Sequence, residues 1–434
     1  MVNRPTSVEV RAYQVGFGDC FLVSFVYPAV EKRHILIDFG TTKLRKGTRV
    51  GAHMRKIAEA IKEECGGGLS AVIATHRHAD HISGFATDKK SGGSGKVIAD
   101  CKPKLVLQPW TEDPKAARNA RQATAESKRS ARSFLAGLAA MHHVAEAVKK
   151  IAQRPPQTMS IETTKQLRFL GEDNIKNVSA VRNLMQMVRN GAKPVFARHG
   201  SKSGLERLLP GVKVHVLGPP DLTQTEKIKK MRSSDPDQFW QLLGGKKALR
   251  RMGAAKVKEG VKRSSKIPLP AEVRWFTKRL ATMNGQQVLE IVRTLDDQMN
   301  NTSIILLFEV GKKKLLFPGD AQIENWSYAL QDAPSAKRTR KLLADVDFYK
   351  VGHHGSRNAT PKKLLWEKFT KRGRGKGRLR AMISTMPGKH GSAKKRTEVP
   401  RKTLLQALES ETDLKNTDKL KKDDICHLTT INDW

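Results

Sequence analysis

Three histidines and one aspartate lie within six residues of the segment Thr75–His81, directly after the apolar run Ala71–Ala74. A short apolar run is typical of a buried strand, so we predict that the polar cluster lies on the loop that leaves the strand's carboxyl end. Neutral imidazole and carboxylate are the ligands that zinc and similar divalent ions prefer. Because the chain has only 13 histidines in 434 residues, the cluster favours a metal site over a solvated polar turn.

The spacing within this loop predicts more than one ion. Alternate residues of an extended segment project together, so His76 and His78 can face one ion while Asp80 and His81 face another. A site for two divalent ions, zinc or manganese, needs further ligands from elsewhere in the chain.

Two later segments offer those ligands. Asp320 follows the apolar run Leu315–Phe317 after a glycine turn, and the predicted strand Asp347–Val351 leads directly into His353 and His354. An aspartate after glycine is usually a turn residue, so each segment alone is a weak indication. Together with the histidine-rich loop, the two segments predict one shared metal site.

The charge of the chain bears on its partner. Lys and Arg number 81 against 42 Asp and Glu, a formal net charge of +39, which favours a polyanion such as nucleic acid. The alternative is a very basic host proteome. The glycine-spaced loop 371–378 is either a solvated tip or a phosphate contact, and the candidate phosphate-binding residues are Arg372, Arg374, Lys376 and Arg378.

The cysteines and the apolar runs indicate the compartment. Cys20, Cys65, Cys101 and Cys426 are widely separated and have no C-x-x-C spacing, as expected of reduced thiols in an intracellular protein. The first residues lack the apolar core of a signal peptide, and no apolar run approaches the ~18 residues that span a bilayer. We therefore expect a cytoplasmic protein with no membrane partner, and its oligomeric state stays open.

Strand-like and helix-like segments alternate along the chain, which predicts an α/β fold. Residues 51–64 have helical spacing that ends at Gly66–Gly68, and residues 115–153 suggest a basic amphipathic helix. The predicted strands are Val8–Val15, Cys20–Phe25, His34–Ile37, Ala71–Ala74, Lys104–Leu107, Val212–Leu217, Ser303–Val310, Lys314–Phe317, Asp347–Val351 and Leu379–Ser384.

These motifs resemble those of the metallo-β-lactamase fold superfamily, whose T-H-x-H-x-D-H motif is intact at Thr75–His81. Asp38 matches the family's early strand-end aspartate, Asp320 its bridging aspartate, and His353 or His354 its last histidine. More narrowly, the chain resembles the soluble hydrolase domain of ComEC-type competence proteins, through Val15–Asp19, Asn301–Ser303, Gly319–Ala321 and His353–Ser356.

The resemblance implies a four-layer αββα sandwich with basic, largely helical insertions. Residues 1–110 would form the first half of the fold, 111–210 a basic helical insertion, and 211–434 the second half, with a further basic insertion at about 222–292.

One position departs from the family pattern. Many members carry a further histidine where this chain has Asn300 and Asn301. We therefore assign Asn301 as a substitute ligand and Asp38 as a residue supporting the ligands. His199 and His215 are alternative ligands, although a lone histidine near a strand is more often structural.

The resemblance and the charge together imply a metal-dependent hydrolase, most simply a phosphodiesterase or nuclease that attacks DNA or RNA with a metal-bound hydroxide. Asp80 would orient the water, and either His353 or His354 would act with Ser356 as a donor to the phosphate. His390 is a weaker candidate for that donor role. The alternatives are a small-molecule hydrolase of lactones, thioesters or cyclic nucleotides, and a non-catalytic nucleic-acid binder.

Overall fold

Two mixed β-sheets form the centre of this protein in the computed structural model. The structure describes residues 4–88, 92–113, 178–225, 227, 299–391, 398–421 and 423–432. Within them, strands and helices form a mixed α/β structure, as the alternation of elements in the sequence predicts. All ten predicted strands and the helix predicted over 51–64 are confirmed.

Counted over the described residues, the two sheets have seven and six strands, and the order in the first is β13-β1-β2-β3-β4-β5-β6. Its first four strands pair antiparallel, whereas β3, β4, β5 and β6 run parallel to one another. The strands are β1 Ser7–Tyr13, β2 Cys20–Val26, β3 Lys32–Phe39, β4 Ala71–Ile73, β5 Leu105–Pro109, β6 Lys193–Ala197 and β13 Cys426–Ile431.

The second sheet has six strands in the order β12-β11-β10-β9-β8-β7. Here β7, β8 and β9 pair antiparallel, and β9, β10, β11 and β12 run parallel. The strands are β7 Val212–Gly218, β8 Ile305–Val310, β9 Lys313–Phe317, β10 Phe348–Lys350, β11 Arg380–Ile383 and β12 Asp413–Asn416.

Seven α-helices accompany the sheets in the described part of the chain. They are α1 Val50–Glu64, α2 Ala79–Ile82, α3 Ser94–Asp100, α4 Val178–Arg189, α5 Ile323–Ser327, α6 Ala336–Ala344 and α7 Lys402–Glu411. None of these helices combines the length and the apolar character that crossing a membrane requires.

The apolar residues form three buried clusters. One cluster joins residues of both sheets, where the rings of Phe21 and Phe317 lie 6.3 Å apart and those of Phe25 and Phe308 lie 5.6 Å apart. A second cluster joins the first sheet to α1, α3 and α4, and a third joins the second sheet to α5, α6 and α7. Each fully buried aliphatic or aromatic side chain in these clusters contributes about 1.5–3 kcal/mol to stability.

Helix α1 shows how the sequence pattern produces this packing. Met54, Ile57, Ala58 and Ile61 recur at helical spacing, and all four are buried against the first sheet. The helix ends where Gly66 and its neighbour adopt positive φ, which glycine tolerates without strain. The predicted stop at the triple glycine is therefore confirmed.

Several elements lie where the sequence pattern did not predict them. Helix α4 and strand β6 fall inside the segment 111–210 that we assigned to a basic insertion, yet both belong to the first sheet and its cluster. Strand β13 brings the end of the chain back to the first sheet, beside β1. The helix predicted over 115–153 and nearly all of the insertion predicted at about 222–292 lie outside the described residues, so the three-part division remains a prediction.

Candidate metal centre

Loops that are far apart in sequence meet where the parallel strands end. Asp38 lies at the end of β3, the histidine-rich loop follows β4, Asp320 follows β9, and His353 and His354 follow β10. Parallel strands present their carboxyl ends at one edge of their sheet. These edges of the two sheets meet, since His81 Nε2 on the loop after β4 lies 3.0 Å from Asp320 Oδ2 on the loop after β9.

Four of the predicted ligands form one cluster. Asp80, His81, Asp320 and His354 each offer one ligand atom, and these atoms all lie within 4.8 Å of one another. His81 Nε2 lies 3.0 Å from Asp320 Oδ2, and His354 Nε2 lies 3.0 Å from Asp80 Oδ2. We call these four residues the ligand cluster.

Asp38 sets the orientation of His81. Its Oδ2 accepts a hydrogen bond from His81 Nδ1 at 2.7 Å, and its two oxygens also accept from the backbone N–H and the hydroxyl of Thr75, each at 2.7 Å. With Nδ1 occupied, Nε2 of His81 turns towards Asp320. In metal sites, a carboxylate that accepts a hydrogen bond from one ring nitrogen commonly orients a histidine whose other ring nitrogen binds the metal.

The carbonyl of Ser384, just after β11, does the same for His354. His354 Nδ1 donates to this oxygen at 2.9 Å, so Nε2 faces the ligand cluster. Both His353 and His354 adopt positive φ, at 46° and 51°. Such backbone is costly for residues other than glycine and is concentrated at functional sites.

The ligand cluster fits a divalent cation. His81 Nε2 and Asp320 Oδ2 are both buried and 3.0 Å apart, yet neither makes a hydrogen bond. Buried polar atoms without partners are rare and call for a ligand or ion. Two imidazole nitrogens and two carboxylates are also a donor set suited to zinc or manganese.

The electrostatics of the cluster agree with this fit. Burial alone would lower the pKa of His81, but Asp320, Asp38 and Asp80 raise it well above its usual value. Burial alone would raise the pKa of Asp320, but His81, His353 and His354 hold it well below its usual range. The carboxylates thus remain ionised and attract positive charge, which a divalent ion would supply.

His76 and His78 lie beside the ligand cluster. The His76 ring centre is 4.2 Å from that of His81, and His76 Nε2 is 2.9 Å from His78 Nδ1. The nearby asparagine is Asn300, whose Oδ1 lies 3.1 Å from His78 Nδ1. Asn301, which we assigned as the substitute ligand, instead donates to Glu324 at 3.2 Å.

The two alternative histidine ligands lie elsewhere. One ring nitrogen of His199 is hydrogen-bonded to the Leu217 carbonyl at 2.8 Å, and the other is hydrogen-bonded to the Ser335 hydroxyl at 3.1 Å. His215 lies 3.6 Å from Glu309. His215 lies in β7, whereas His199 follows β6 of the first sheet and contacts β7, and neither ring joins the ligand cluster.

The structure separates the roles of the adjacent histidines. His354 is fully buried within the ligand cluster, whereas the ring of His353 is 23% exposed. The backbone N–H of His353 donates to Asp320 Oδ1 at 3.1 Å, and burial lowers the pKa of its ring to about 4. The hydroxyl of Ser356 donates to Asn358. Of the two histidines, His353 is therefore the one that solvent reaches.

Two buried charged residues were missed by the sequence analysis. Asp19 is fully buried and forms an ion pair with Lys350, which also lies 3.6 Å from Asp320 Oδ1. Burial would lower the pKa of Lys350, but Asp19 and Asp320 raise it. A lysine inside an apolar strand, three residues before His353, was the available signal.

The predicted phosphate-binding loop lies at the other end of the second sheet. Residues 371–378 precede β11, whereas Ser384 and the ligand cluster follow it, and β11 spans about 13 Å at ~3.3 Å per residue. Arg372 pairs with Glu411 and stacks over Trp366 at 5.3 Å. Arg374, Lys376 and Arg378 therefore lie on the side of β11 away from the ligand cluster, and their contact with phosphate remains a prediction.

Comparison with known proteins adds no identity. No protein-family model matches this chain, and no curated protein matches it significantly.

Proposed function

We propose that this chain is a metal-dependent hydrolase, most simply a phosphodiesterase or nuclease acting on DNA or RNA. The observation that carries the proposal is the ligand cluster, in which side chains from three distant loops bring their ligand atoms within 4.8 Å of one another. Such convergence is costly unless a cation compensates the buried carboxylates.

We also propose that the chain has the metallo-β-lactamase fold. The resemblance of the T-H-x-H-x-D-H motif and of the strand-end aspartate to the metallo-β-lactamase pattern supports it, together with the buried histidine after β10. Three apolar clusters, one between the sheets and one beyond each sheet, are what a four-layer αββα sandwich requires.

Asp80, His81, Asp320 and His354 would hold one divalent ion, and His76 and His78 would contribute to a second beside it. When bound, such ions lower the pKa of a coordinated water and polarise a phosphoryl oxygen. Asp80, whose side chain is 13% exposed, is placed to orient a water arriving from solvent. His353 is at the opening and can donate to a substrate oxygen.

The net charge of the chain bears on the class of substrate. A net charge of +39 favours polyanions over neutral esters. Within the described residues, however, the four candidate phosphate contacts lie at the far end of the second sheet. Arg77, next to the ligands, is engaged by Glu112 at 3.0 Å. This arrangement is the observation that supports a second candidate beside the nuclease, namely a small-molecule hydrolase whose basic surface is incidental to catalysis.

The test is metal analysis combined with a substrate panel. The purified chain, loaded with zinc or manganese, is incubated with plasmid DNA, single-stranded DNA, RNA, a small phosphodiester, a lactone and a thioester. The matched controls are Asp80→Asn, which alters the ligand cluster, and Asp345→Asn on the surface. Cleavage of nucleic acid that is lost only in Asp80→Asn supports the proposal. Turnover of the lactone or thioester alone would replace it with the second candidate.

A further inference from the structure

Lys350 places a charged side chain where the strand pattern calls for an apolar one. It lies two residues after Phe348, which belongs to the cluster between the sheets, and its own side chain is 3% exposed. Its Nζ is 6.0 Å from the centre of the Phe21 ring. Because a charge withdrawn from water needs compensating partners, this position calls for an electrostatic explanation.

The partners of the ammonium belong to the metal centre. Lys350 Nζ donates to the Gly319 carbonyl at 3.1 Å, pairs with Asp19 Oδ2 and lies 3.6 Å from Asp320 Oδ1. Asp19 itself lies behind both imidazole ligands, 3.6 Å from His354 Nδ1 and 3.7 Å from His81 Nδ1. Lys350 therefore lies between Asp19, which is behind the imidazole ligands, and Asp320, which is itself one of the ligands.

Asp19 does not serve to orient the imidazoles. His81 Nδ1 already donates to Asp38 at 2.7 Å, and His354 Nδ1 already donates to the Ser384 carbonyl at 2.9 Å. Neither oxygen of Asp19 makes a hydrogen bond of good geometry, although both are buried. The ionic contact with Lys350 is thus its main compensation.

Asp19, Asp38 and His81 would otherwise resemble a second cation site, because their ligand atoms lie within 4.8 Å of one another. We propose that Lys350 is an internal cation that occupies this carboxylate pocket and confines metal ions to the side of Asp80 and His354. The inference rests on the metal centre of the proposed function. It assigns to Lys350 the role of limiting how many ions the metal centre holds.

The pair also protects Asp320. Asp320 Oδ1 accepts the backbone N–H of His353, so Oδ2 stays turned towards His81. The ammonium is only 3.6 Å from Oδ1 but is held by Asp19. Without that carboxylate, Lys350 would close on Asp320 and compete with an incoming ion.

The first test counts metal ions. Wild type, Lys350→Ala and the double variant Asp19→Asn/Lys350→Met are saturated with Mn²⁺, desalted and measured by elemental analysis. Lys350→Ala should hold one more ion per chain than wild type, because the carboxylate pocket is open. The double variant, which lacks both charges, should return to the wild-type count. An unchanged count in folded Lys350→Ala, or an extra ion in the double variant, would overturn the inference.

The second test uses Asp19→Asn, which keeps the lysine and nearly the same shape. We expect its Mn²⁺ affinity, measured by chelator competition, to fall by at least roughly tenfold, because Lys350, released from Asp19, closes on Asp320 Oδ1 and competes with the ion. If Lys350→Ala does not fold, this variant decides alone, and wild-type affinity would refute the proposal. A wild-type chain that binds no metal would refute the proposed function as well, whereas metal binding with unaltered variants would refute this inference only.

Discussion

The support of His81 by Asp38 allows a sharp test of the metal centre. Asp38→Asn keeps the size and shape of the side chain, and it adds no backbone strain, since asparagine tolerates the positive φ of 55° at this position. What changes is the acceptor. An amide nitrogen in place of Oδ2 cannot accept the hydrogen bonds that His81 and Thr75 now donate at 2.7 Å.

The magnitude follows from those contacts. A hydrogen bond to a charged group contributes about 1.5–3 kcal/mol, and ~1.4 kcal/mol is a tenfold change in a binding constant. With its Nδ1 partner lost, His81 is free to rotate or change tautomer, so Nε2 no longer faces Asp320. We expect the affinity for Zn²⁺ or Mn²⁺ to fall by about 10- to 100-fold.

The assay is competition against a chromophoric chelator at constant pH and salt. Asp345→Asn is the matched control, because Asp345 is 46% exposed and its carboxylate pairs with Lys314 away from the ligands. Circular dichroism of the metal-free proteins verifies that both variants are folded. An Asp38→Asn affinity within threefold of wild type would refute the reasoning that Asp38 holds His81 for an ion.

Three further predictions concern stability and the basic loop. Burial lowers the pKa of His34 from 6.5 to about 4. The folded chain therefore binds fewer protons than the unfolded chain between these values, and the free energy of unfolding should drop by about 3 kcal/mol as the pH falls through this window. Urea titrations at several pH values should show a smaller drop in His34→Leu. Phe317→Ala should lower the free energy of unfolding by about 3–5 kcal/mol, against less than about 0.5 kcal/mol for Leu428→Ala on the exposed surface, because Phe317 lies between the sheets. Arg374→Ala/Lys376→Ala should leave kcat on a small phosphodiester within about twofold of wild type, because this loop precedes β11 and the ligand cluster follows it. A tenfold loss of kcat would require about 1.4 kcal/mol of lost contact with the transition state. A large loss of kcat would contradict the placement of the loop.

Much of the fold follows from local patterns. Short apolar runs and alternation predict the ten strands, and helical spacing predicts α1, because burial depends on apolar patterns that are visible in the sequence. Strands β6, β12 and β13 were missed. β6 carries exposed residues at an edge of the first sheet, and β13 alternates only weakly. Their pairing is decided by the neighbouring strand, not by their own residues.

Some features of the candidate site can likewise be predicted from the sequence, whereas others depend on the tertiary structure. The ligand types at Asp80, His81 and Asp320 are visible in the sequence, because imidazole and carboxylate carry their metal affinity wherever the chain puts them. The sequence leaves the choice between His353 and His354 open. In the structure it is His354 that joins the ligand cluster, because its Nδ1 reaches the Ser384 carbonyl and leaves Nε2 facing Asp80.

By itself, then, the sequence determines the strand pattern, the strong positive charge and the kinds of ligand at each strand end. Only the tertiary structure decides that Asp19 and Lys350 pair behind those ligands, and that the basic loop 371–378 lies at the opposite end of the second sheet. The reason is physical: periodicity and ligand chemistry belong to individual residues, whereas ring orientation, ion pairing and distance depend on contacts between residues far apart in the chain.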